Sequence, residues 1–447
     1  MPSHVETLRY KLASGPAFPR QLIEAMGVSQ PTLSRAVTAM GGDIVRIGAA
    51  RSIQYALRDS TRGLPDMPIH RVDAAGKVAP LGQLVPVRPN GFVMQQADGL
   101  TLYSEGLPWW LLDMLPQGFL GRALASKLAA SLGFPARLSA WSDTQMLRAL
   151  LMQGHDAVGN LLLGDGARER LLAAPTPQPI AASAKESAYV QLAAEAASGE
   201  WPHSSAGGEQ PKFAAFAHTP AGPRHLLVKF TLAETNPVTE RWRDLLLAEH
   251  HALETLAASG VAAALSRVVD AGGQRFLEVE RFDRVGETGR RAVLSLTSLD
   301  AEFVGNARAP WPQITAQLAS GGHVTHGATE AAALLFAFGT LIGNTDMHNG
   351  NLSFTSEEGR PYMLAPAYDM LPMGFAPQAS GGMPDALAPA RLHASVGTAV
   401  WVRAARLALH FLARIRADAR FSARFQPCIA SLADHVEDAG GMIARLG

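Results

Sequence analysis

The segment Asn344-Thr345-Asp346-Met347-His348-Asn349-Gly350-Asn351-Leu352 places an aspartate five positions before an asparagine, and a second aspartate follows in Tyr368-Asp369. Phosphoryl transfer needs these residue types. One Asp accepts the proton of the attacking hydroxyl, an Asn holds a Mg2+ ion, and a downstream Asp binds the metal that bridges the phosphates. The Asp-x4-Asn spacing means little alone. Its weight comes from order, because the remaining parts of such a site lie upstream as Gly207-Gly208, then Lys229, then Glu249.

Each part needs an element to hold it. His203 to Lys212 precedes a strand predicted over Phe213–Ala217, and adjacent glycines there let backbone N–H groups approach anionic oxygens that a Cβ would obstruct. In Leu226–Thr231 strand alternation puts Leu226, Val228 and Phe230 on one face and Lys229 on the other. A mid-strand lysine is costly to bury without an anionic partner. Glu249 lies on a helix opened by Asn236-Pro237 and closed by Gly260, with Trp242, Leu245, Leu246, Leu253 and Leu256 on its buried side. Glu254 is the competing partner on the same helix. Glu278 to Arg284 follows the Gly272-Gly273 turn, ends the sheet and leads into a second lobe. An apolar helix over Ala331–Ile342, ended by Gly343, anchors the Asp346 loop, and two short strands at Leu352–Phe354 and Tyr362–Leu364 precede Asp369.

A chain of 447 residues with 47% hydrophobic content is a globular protein of two or three domains. Net charge is zero overall, but the first 62 residues carry eight Arg and Lys against four Asp and Glu, 8 − 4 = +4. One cysteine, Cys428, excludes an intramolecular disulfide and a multi-cysteine zinc site. No apolar signal core opens the chain, and the longest apolar run, near 332–343, is too short for a bilayer. Cytoplasmic residence without membrane contact is the expectation.

The basic N-terminal region, residues 1–62, reads as helices over Val5–Leu12, Pro19–Met26 and from Ser29-Pro31 to Met40, then a hairpin of Ile44–Ile47 and Ser52–Leu57. Gln30, Thr32, Ser34 and Arg35 fall at or near the start of the third helix, the end that reaches base edges in a major groove, and Arg46 and Arg51 are placed for phosphates. The pattern resembles a winged helix-turn-helix domain that binds duplex DNA. A polar connector over Thr61–Pro68 leads to residues 63–180, where short strands at Ile69–Val72, Gly82–Val87 and Gly91–Met94 give way to helix from Trp109 to Leu172 and a loop over Ala173–Ala184. His155-Asp156 in this region reads as a loop or cap contact.

The Ala206-Gly-Gly-Glu-Gln-Pro-Lys212 loop, "VERFDR", "IGNTDMHNGNLSF" and "LAPAYDMLPM" resemble the HipA-like serine/threonine kinases of bacterial toxin-antitoxin systems over roughly 180–430, with weaker correspondence back to about 69. An N-terminal winged-helix domain fused to that kinase is similar to the HipH/YjjJ branch. The resemblance implies an α+β, bilobal protein-kinase-like fold, with a kinase core at 181–447 whose N-lobe strands run to about 284. It implies ATP and Mg2+ as cofactors, Asp346 as catalytic base, Asn351 and Asp369 as metal ligands, and Lys229 as phosphate contact. Ala206, Gly207, Gly208, Glu209, Gln210 and Pro211 would cover the phosphates, Glu280, Arg281 and Phe282 would form the adenine hinge, and His348 and Tyr368 would lie at the nucleotide. Ser204 and Ser205 both match the region of the autophosphorylated serine of relatives. Implied partners are a protein with a target serine or threonine, such as a translation factor or aminoacyl-tRNA synthetase, and a second copy of the chain. Two departures stand out: the loop carries one extra residue, and Gly350 stands where many relatives have Lys. Two other functions stay open on the sequence. One is a small-molecule kinase of the aminoglycoside or choline type, and the other is a nucleotide-sensing transcriptional regulator without turnover.

Overall fold

The computed structural model describes residues 3–197, 210–357 and 359–446, which form two compact units. The first comprises residues up to Asp73, Lys77–Leu115 and Ser139–Ala174. It begins with α1 (His4–Leu12), α2 (Pro19–Met26) and α3 (Gln30–Met40), followed by the antiparallel hairpin β1 (Ile44–Ile47) and β2 (Gln54–Leu57). Local chemistry starts each helix: Ser3 and Glu6 form a capping box on α1, Pro19 opens α2, and Gly27 ends it at φ +63°. Leu8, Leu12, Leu22, Leu33, Ala36 and Met40 close a small core with Leu57 of the hairpin.

That hairpin has a second apolar face. Val45, Ile47 and Ala56 pack with Val85, Val87 and Val93 of a five-stranded sheet ordered β6-β5-β4-β3-β7. The sheet is built from β3 (Met67–Val72), β4 (Val78–Val87), β5 (Gly91–Gln96), β6 (Thr101–Ser104) and β7 (Leu161–Leu163). The connector between hairpin and sheet is pinned rather than loose. Asp59, 1% exposed, accepts from the Thr61 N–H at 2.9 Å and from Arg62 Nε at 2.8 Å, and Arg62 donates onward to the carbonyls of Asn90, Val87 and Gly91. Strand β7 corrects the expectation of continuous helix from Trp109 to Leu172. Leu162 and Leu163 are fully buried against β3, and an all-apolar triplet of this kind is not separable from helix by periodicity. Among the helices of that stretch, α4 (Gly118–Leu132) clusters with the second unit, whereas α5 (Asp143–Gln153) and α6 (Asp165–Ala173) stay with the first.

The second unit holds the candidate site. Its sheet lobe has the order β10-β11-β9-β8, all antiparallel, from β8 (Lys212–Thr219), β9 (Gly222–Phe230), β10 (Ser266–Ala271) and β11 (Gln274–Glu280). Helix α7 (Lys185–Ala197) covers one face, where Tyr189 packs with Phe213, Val228, Phe230 and Phe276. Helix α8 (Pro237–Ala258) covers the other, with Leu246 against Leu277 and Val279. Past the short ladder of β12 (Arg284–Val285) and β13 (Gly289–Arg290) comes a helical lobe. It contains α9 (Leu296–Phe303), α10 (Trp311–Ser320), α11 (His326–Leu341), α12 (Thr398–Ala417) and α13 (Gln426–Ala444), with a small sheet ordered β14 (Ala292–Ser295), β15 (Ser353–Ser356), β16 (Met363–Leu364). Helix α11 starts five residues earlier than its apolar run because Thr325 caps it, its side chain accepting from the Ala328 N–H. Among the described residues no helix is long and apolar enough to cross a membrane.

Candidate active site

The alternation of β9 does what its sequence requires: Leu226, Val228 and Phe230 are buried under α7, and Lys229, 5% exposed, points to the α8 side. There its Nζ donates to both carboxylate oxygens of Glu249, at 2.7 and 2.8 Å, and to Asp369 Oδ1. Glu249 is fully buried and Glu254 pairs instead with Arg414, so the competition between the two glutamates is resolved by geometry. Burial opposes charge on Lys229, but the Asp369 and Glu249 carboxylates outweigh it and raise its pKa above the ordinary lysine range. Burial also pushes Glu249 upward, with Lys229 offsetting only part. Asp369 moves the other way: burial works against its charge, and Lys229, Lys212 and His348 together hold it below the usual carboxylate value. Lys212 earns its influence by register, since it stands directly opposite Lys229 on β8.

The loop after α11 supplies the remaining groups. Asp346 is exposed; its N–H donates to Asn344 Oδ1 at 3.0 Å, and its carbonyl accepts from Asn351 Nδ2 at 2.8 Å. The last contact orients the Asn351 amide, leaving the carbonyl oxygen as the end suited to a cation. His348 caps the turn Asn349–Asn351, its Nδ1 accepting from the Gly350 N–H at 3.0 Å. A Cβ on Gly350 would lie 2.8 Å from His348 Cε1, so a larger residue does not fit this ring position without displacement. The Tyr368 hydroxyl donates to the Gly350 carbonyl at 2.7 Å and lies 2.7 Å from Ser353 Oγ. Its ring lies 5.6 Å from that of Phe282. Asp369 itself has φ +50°, a left-handed conformation that costs a non-glycine residue about 1–3 kcal/mol and clusters at functional sites.

Asn351 and Asp369 are hard oxygen donors, the kind Mg2+ takes. Among the described residues no cluster of three or more His, Cys, Asp or Glu could hold a metal by itself. A Mg2+ ion held by Asn351 and Asp369 would have to draw its other ligands from phosphates and water.

Other expected site residues fall as follows. Ser204, Ser205, Ala206, Gly207, Gly208 and Glu209 lie outside the described residues. Gln210 and Pro211 tie to the end of β9, Gln210 Nε2 donating to the Phe230 carbonyl at 2.6 Å and the Pro211 carbonyl accepting from the Phe230 N–H at 2.9 Å. At the lobe junction the N–H groups of Glu280 and Arg281 are taken by the carbonyls of Leu265 and His225, the Glu280 carboxylate pairs with Arg224, and Arg281 pairs with Asp283. In the first unit Gln30, Ser34 and Arg35 are exposed on α3, Thr32 is partly covered, and Arg35 bonds Pro31 and Thr32 of its own helix. Arg46 is exposed on β1; the Arg51 backbone lies in the turn Ala50–Ser52, and its side chain is outside the described set.

Three groups escaped sequence reasoning. Asn344 is 4% exposed and bonded to both the Asp346 N–H and the Asp369 carbonyl. On the α7 face, Lys185 and the Tyr189 hydroxyl both bond the buried Glu278 carboxylate. Helix α8 is tied to the helical lobe by its own buried polar side chains. Arg241 donates to the carbonyls of Phe375 and Pro384 and to Asp385, Asp244 accepts from the Ser422 N–H and hydroxyl, and His251 lies 2.7 Å from Asp418. The available signal was weak: charged residues inside an otherwise apolar helix face.

A sheet lobe holding a buried lysine–glutamate pair, joined to a helical lobe that carries the aspartate loop, divides the site as the protein-kinase-like fold does. The chain belongs to the HipA-like toxin family. Residues 204–439 match the HipA-like C-terminal domain, and residues 64–172 match the middle domain of YjjJ-like toxin. It is 39% identical over 438 residues, 98% of each chain, to Toxin YjjJ of Escherichia coli (strain K12). Among solved structures it resembles the Shewanella oneidensis MR-1 HipA complex with HipB and operator DNA. The TM-score is 0.59 at 18% identity, covering 85% of this chain and 99% of that one. A weaker overlap, TM-score 0.38 at 14% identity over 55% of this chain and 96% of the other, exists with the Helicobacter pylori proinflammatory kinase CtkA.

Proposed function

We propose that the chain is an ATP-dependent protein serine/threonine kinase joined to its own DNA-binding unit and acting as a growth-inhibiting toxin. The observation that carries the reading is Lys229, buried between the carboxylates of Glu249 and Asp369 rather than exposed to solvent. Such a lysine is pre-set to meet phosphate oxygens. Asp346, exposed and held through its backbone, accepts the proton of a serine or threonine hydroxyl as the oxygen bonds to the γ-phosphorus. The bond from that phosphorus to the β–γ bridging oxygen breaks, and ADP departs. Asn351 and Asp369 would hold Mg2+, which when bound offsets negative charge on the phosphates. Lys212 adds positive charge beside Asp369. Autophosphorylation at Ser204 or Ser205 would place negative charge beside the glycine pair of the nucleotide loop and oppose ATP binding.

The DNA-binding part of the proposal rests on the exposed α3 residues Gln30, Ser34 and Arg35 and on Arg46 in the hairpin. Together they make a winged helix-turn-helix reading of α1 to β2. The Shewanella structure pairs HipA with HipB and operator DNA; here the chain itself would supply the DNA contacts. The deciding experiment incubates full-length protein with γ-labelled ATP and Mg2+ and a proteome extract, and locates label by mass spectrometry. Phosphoserine or phosphothreonine that disappears in Asp346→Ala supports the proposal. Its absence from wild type, or its persistence in the variant, overturns it.

A further inference from the structure

We infer that Asn344 is a positioning residue that locks the proton-accepting loop to the Asp369 segment, so that the two halves of the site keep one mutual geometry. The inference rests on the roles of Asp346 and Asp369 proposed above. The chain leaves α11 through Gly343 at φ +74°, where a Cβ would lie 2.6 Å from Leu387 Cδ1, and the turn is pinned by the Gly374 N–H donating to the Gly343 carbonyl at 2.9 Å. Asn344 N–H in turn donates to the Gly339 carbonyl at 2.8 Å, and this fixes the direction in which its side chain enters the protein.

The carboxamide then spans two segments 25 residues apart in sequence. Its Oδ1 accepts from the Asp346 N–H at 3.0 Å, and its Nδ2 donates to the Asp369 carbonyl at 3.3 Å while lying 3.8 Å from Met370 Sδ. An N–H can only donate and a peptide carbonyl can only accept, so these partners dictate the orientation of the amide, and a flip would lose both bonds. Asn is thus the side chain of this size that satisfies the pair at any protonation state of its surroundings. The second bond also falls on the residue with the unusual backbone: Asp369 sits at φ +50°, and the donor from Asn344 engages the carbonyl of that same residue. Asn344 touches no reacting atom. It acts through the backbone of two residues that do.

The test uses full-length protein and the variants Asn344→Ala, which loses both bonds, and Asn344→Asp, which keeps an acceptor for the Asp346 N–H but offers no donor to the Asp369 carbonyl when ionised. Hydrogen exchange of the Asp346 amide, ATP affinity with Mg2+ and with EDTA, and single-turnover phosphotransfer are read alongside the thermal midpoint. Loss of one buried hydrogen bond predicts roughly tenfold effects. In Asn344→Ala the Asp346 amide exchanges at least about tenfold faster and phosphotransfer falls by a similar factor or more, with ATP affinity in EDTA unchanged. In Asn344→Asp the amide stays protected while the Mg2+-dependent gain in ATP affinity shrinks. Unchanged exchange in Asn344→Ala overturns the inference whatever the protein does with ATP. Wild-type phosphotransfer and Mg2+-dependent affinity in both variants overturn it as well. A wild-type protein that neither binds nor cleaves ATP refutes the kinase proposal instead, and the exchange result still decides the role of Asn344.

Discussion

Replacing Lys229 with Met removes a cation in direct contact with both Glu249 and Asp369. Glu249 is fully buried, and its pKa is already raised by burial with the lysine present. With the ammonium gone, the expected outcome is that the folded variant takes up a proton on Glu249 at pH 7. Holding a proton there against an unfolded-state pKa of about 4.3 costs about 1.36 kcal/mol per pH unit, or about 3.7 kcal/mol at pH 7. Breaking a buried pair by removing one partner costs about 3–5 kcal/mol, so the two routes agree. The sign follows from linkage. In the variant the folded state binds a proton that the unfolded state has released, so stability falls as pH rises above about 4.3, by about 1.36 kcal/mol per unit, until the folded pKa is reached. Glu249 alone should make the variant about 2.7 kcal/mol less stable at pH 7 than at pH 5. Native-state hydrogen exchange of the β9 amides reads this without assuming that both units unfold together. A further Glu249→Gln substitution in the same protein should erase the slope. A Lys229→Met protein as stable as wild type at pH 7, or one with a pH-independent deficit, refutes the reasoning.

Asp346→Ala and Asp369→Ala should both abolish phosphotransfer, but only Asp369→Ala should lose the Mg2+-dependent part of nucleotide affinity, measured by calorimetry with and without EDTA. Ser422→Ala leaves the buried Asp244 carboxylate short of a donor at the tie between α8 and the helical lobe, and should cost about 1–3 kcal/mol in exchange protection of α8. His250 sits on α8 with Nδ1 2.9 Å from Ser266 Oγ, and burial, then the adjacent His251, lowers its pKa to about 4. The unfolded state then takes up the proton first, so its contribution is present above about pH 6.5 and is lost as pH falls toward 4, at most about 3.4 kcal/mol; His250→Gln should flatten that part of the stability profile. In the first unit, Arg35→Ala should cost about 1–3 kcal/mol on a preferred duplex, whereas Arg46→Ala should weaken all duplexes alike and reduce the salt slope by about one, both read by gel shift on catalytically dead protein.

The N-terminal hairpin gives these DNA measurements a structural context. Because Val45, Ile47 and Ala56 share a core with Val85, Val87 and Val93, cutting the chain near residue 62 would expose that face and strand the Asp59–Arg62 anchor. Such truncation should yield aggregation rather than a free DNA-binding domain. The first unit keeps these contacts together.

Local chemistry was enough to read from sequence wherever the signal repeats along the chain. The alternation around Lys229 announced which face of β9 is buried, Asn236-Pro237 announced the start of α8, and the five-residue step from Asp346 to Asn351 announced the loop. Those patterns depend on strand and helix periods and on caps, all of which are local. What required the tertiary structure was every decision about partners distant in sequence. Glu249 rather than Glu254 meets Lys229 because the helix phase relative to the sheet is set by Leu246 packing on Leu277 and Val279. Tyr368 turns its hydroxyl to the loop because the turn Asn349–Asn351 and the start of β15 bring Gly350 and Ser353 to it. Strand β7 is a strand only because β3 offers it an edge, and Asn344 looks like an ordinary loop residue until Asp369, 25 positions on, is folded back against it. A buried polar side chain is defined by what satisfies it, and that partner is chosen by the packing of the whole unit rather than by its neighbours in the chain.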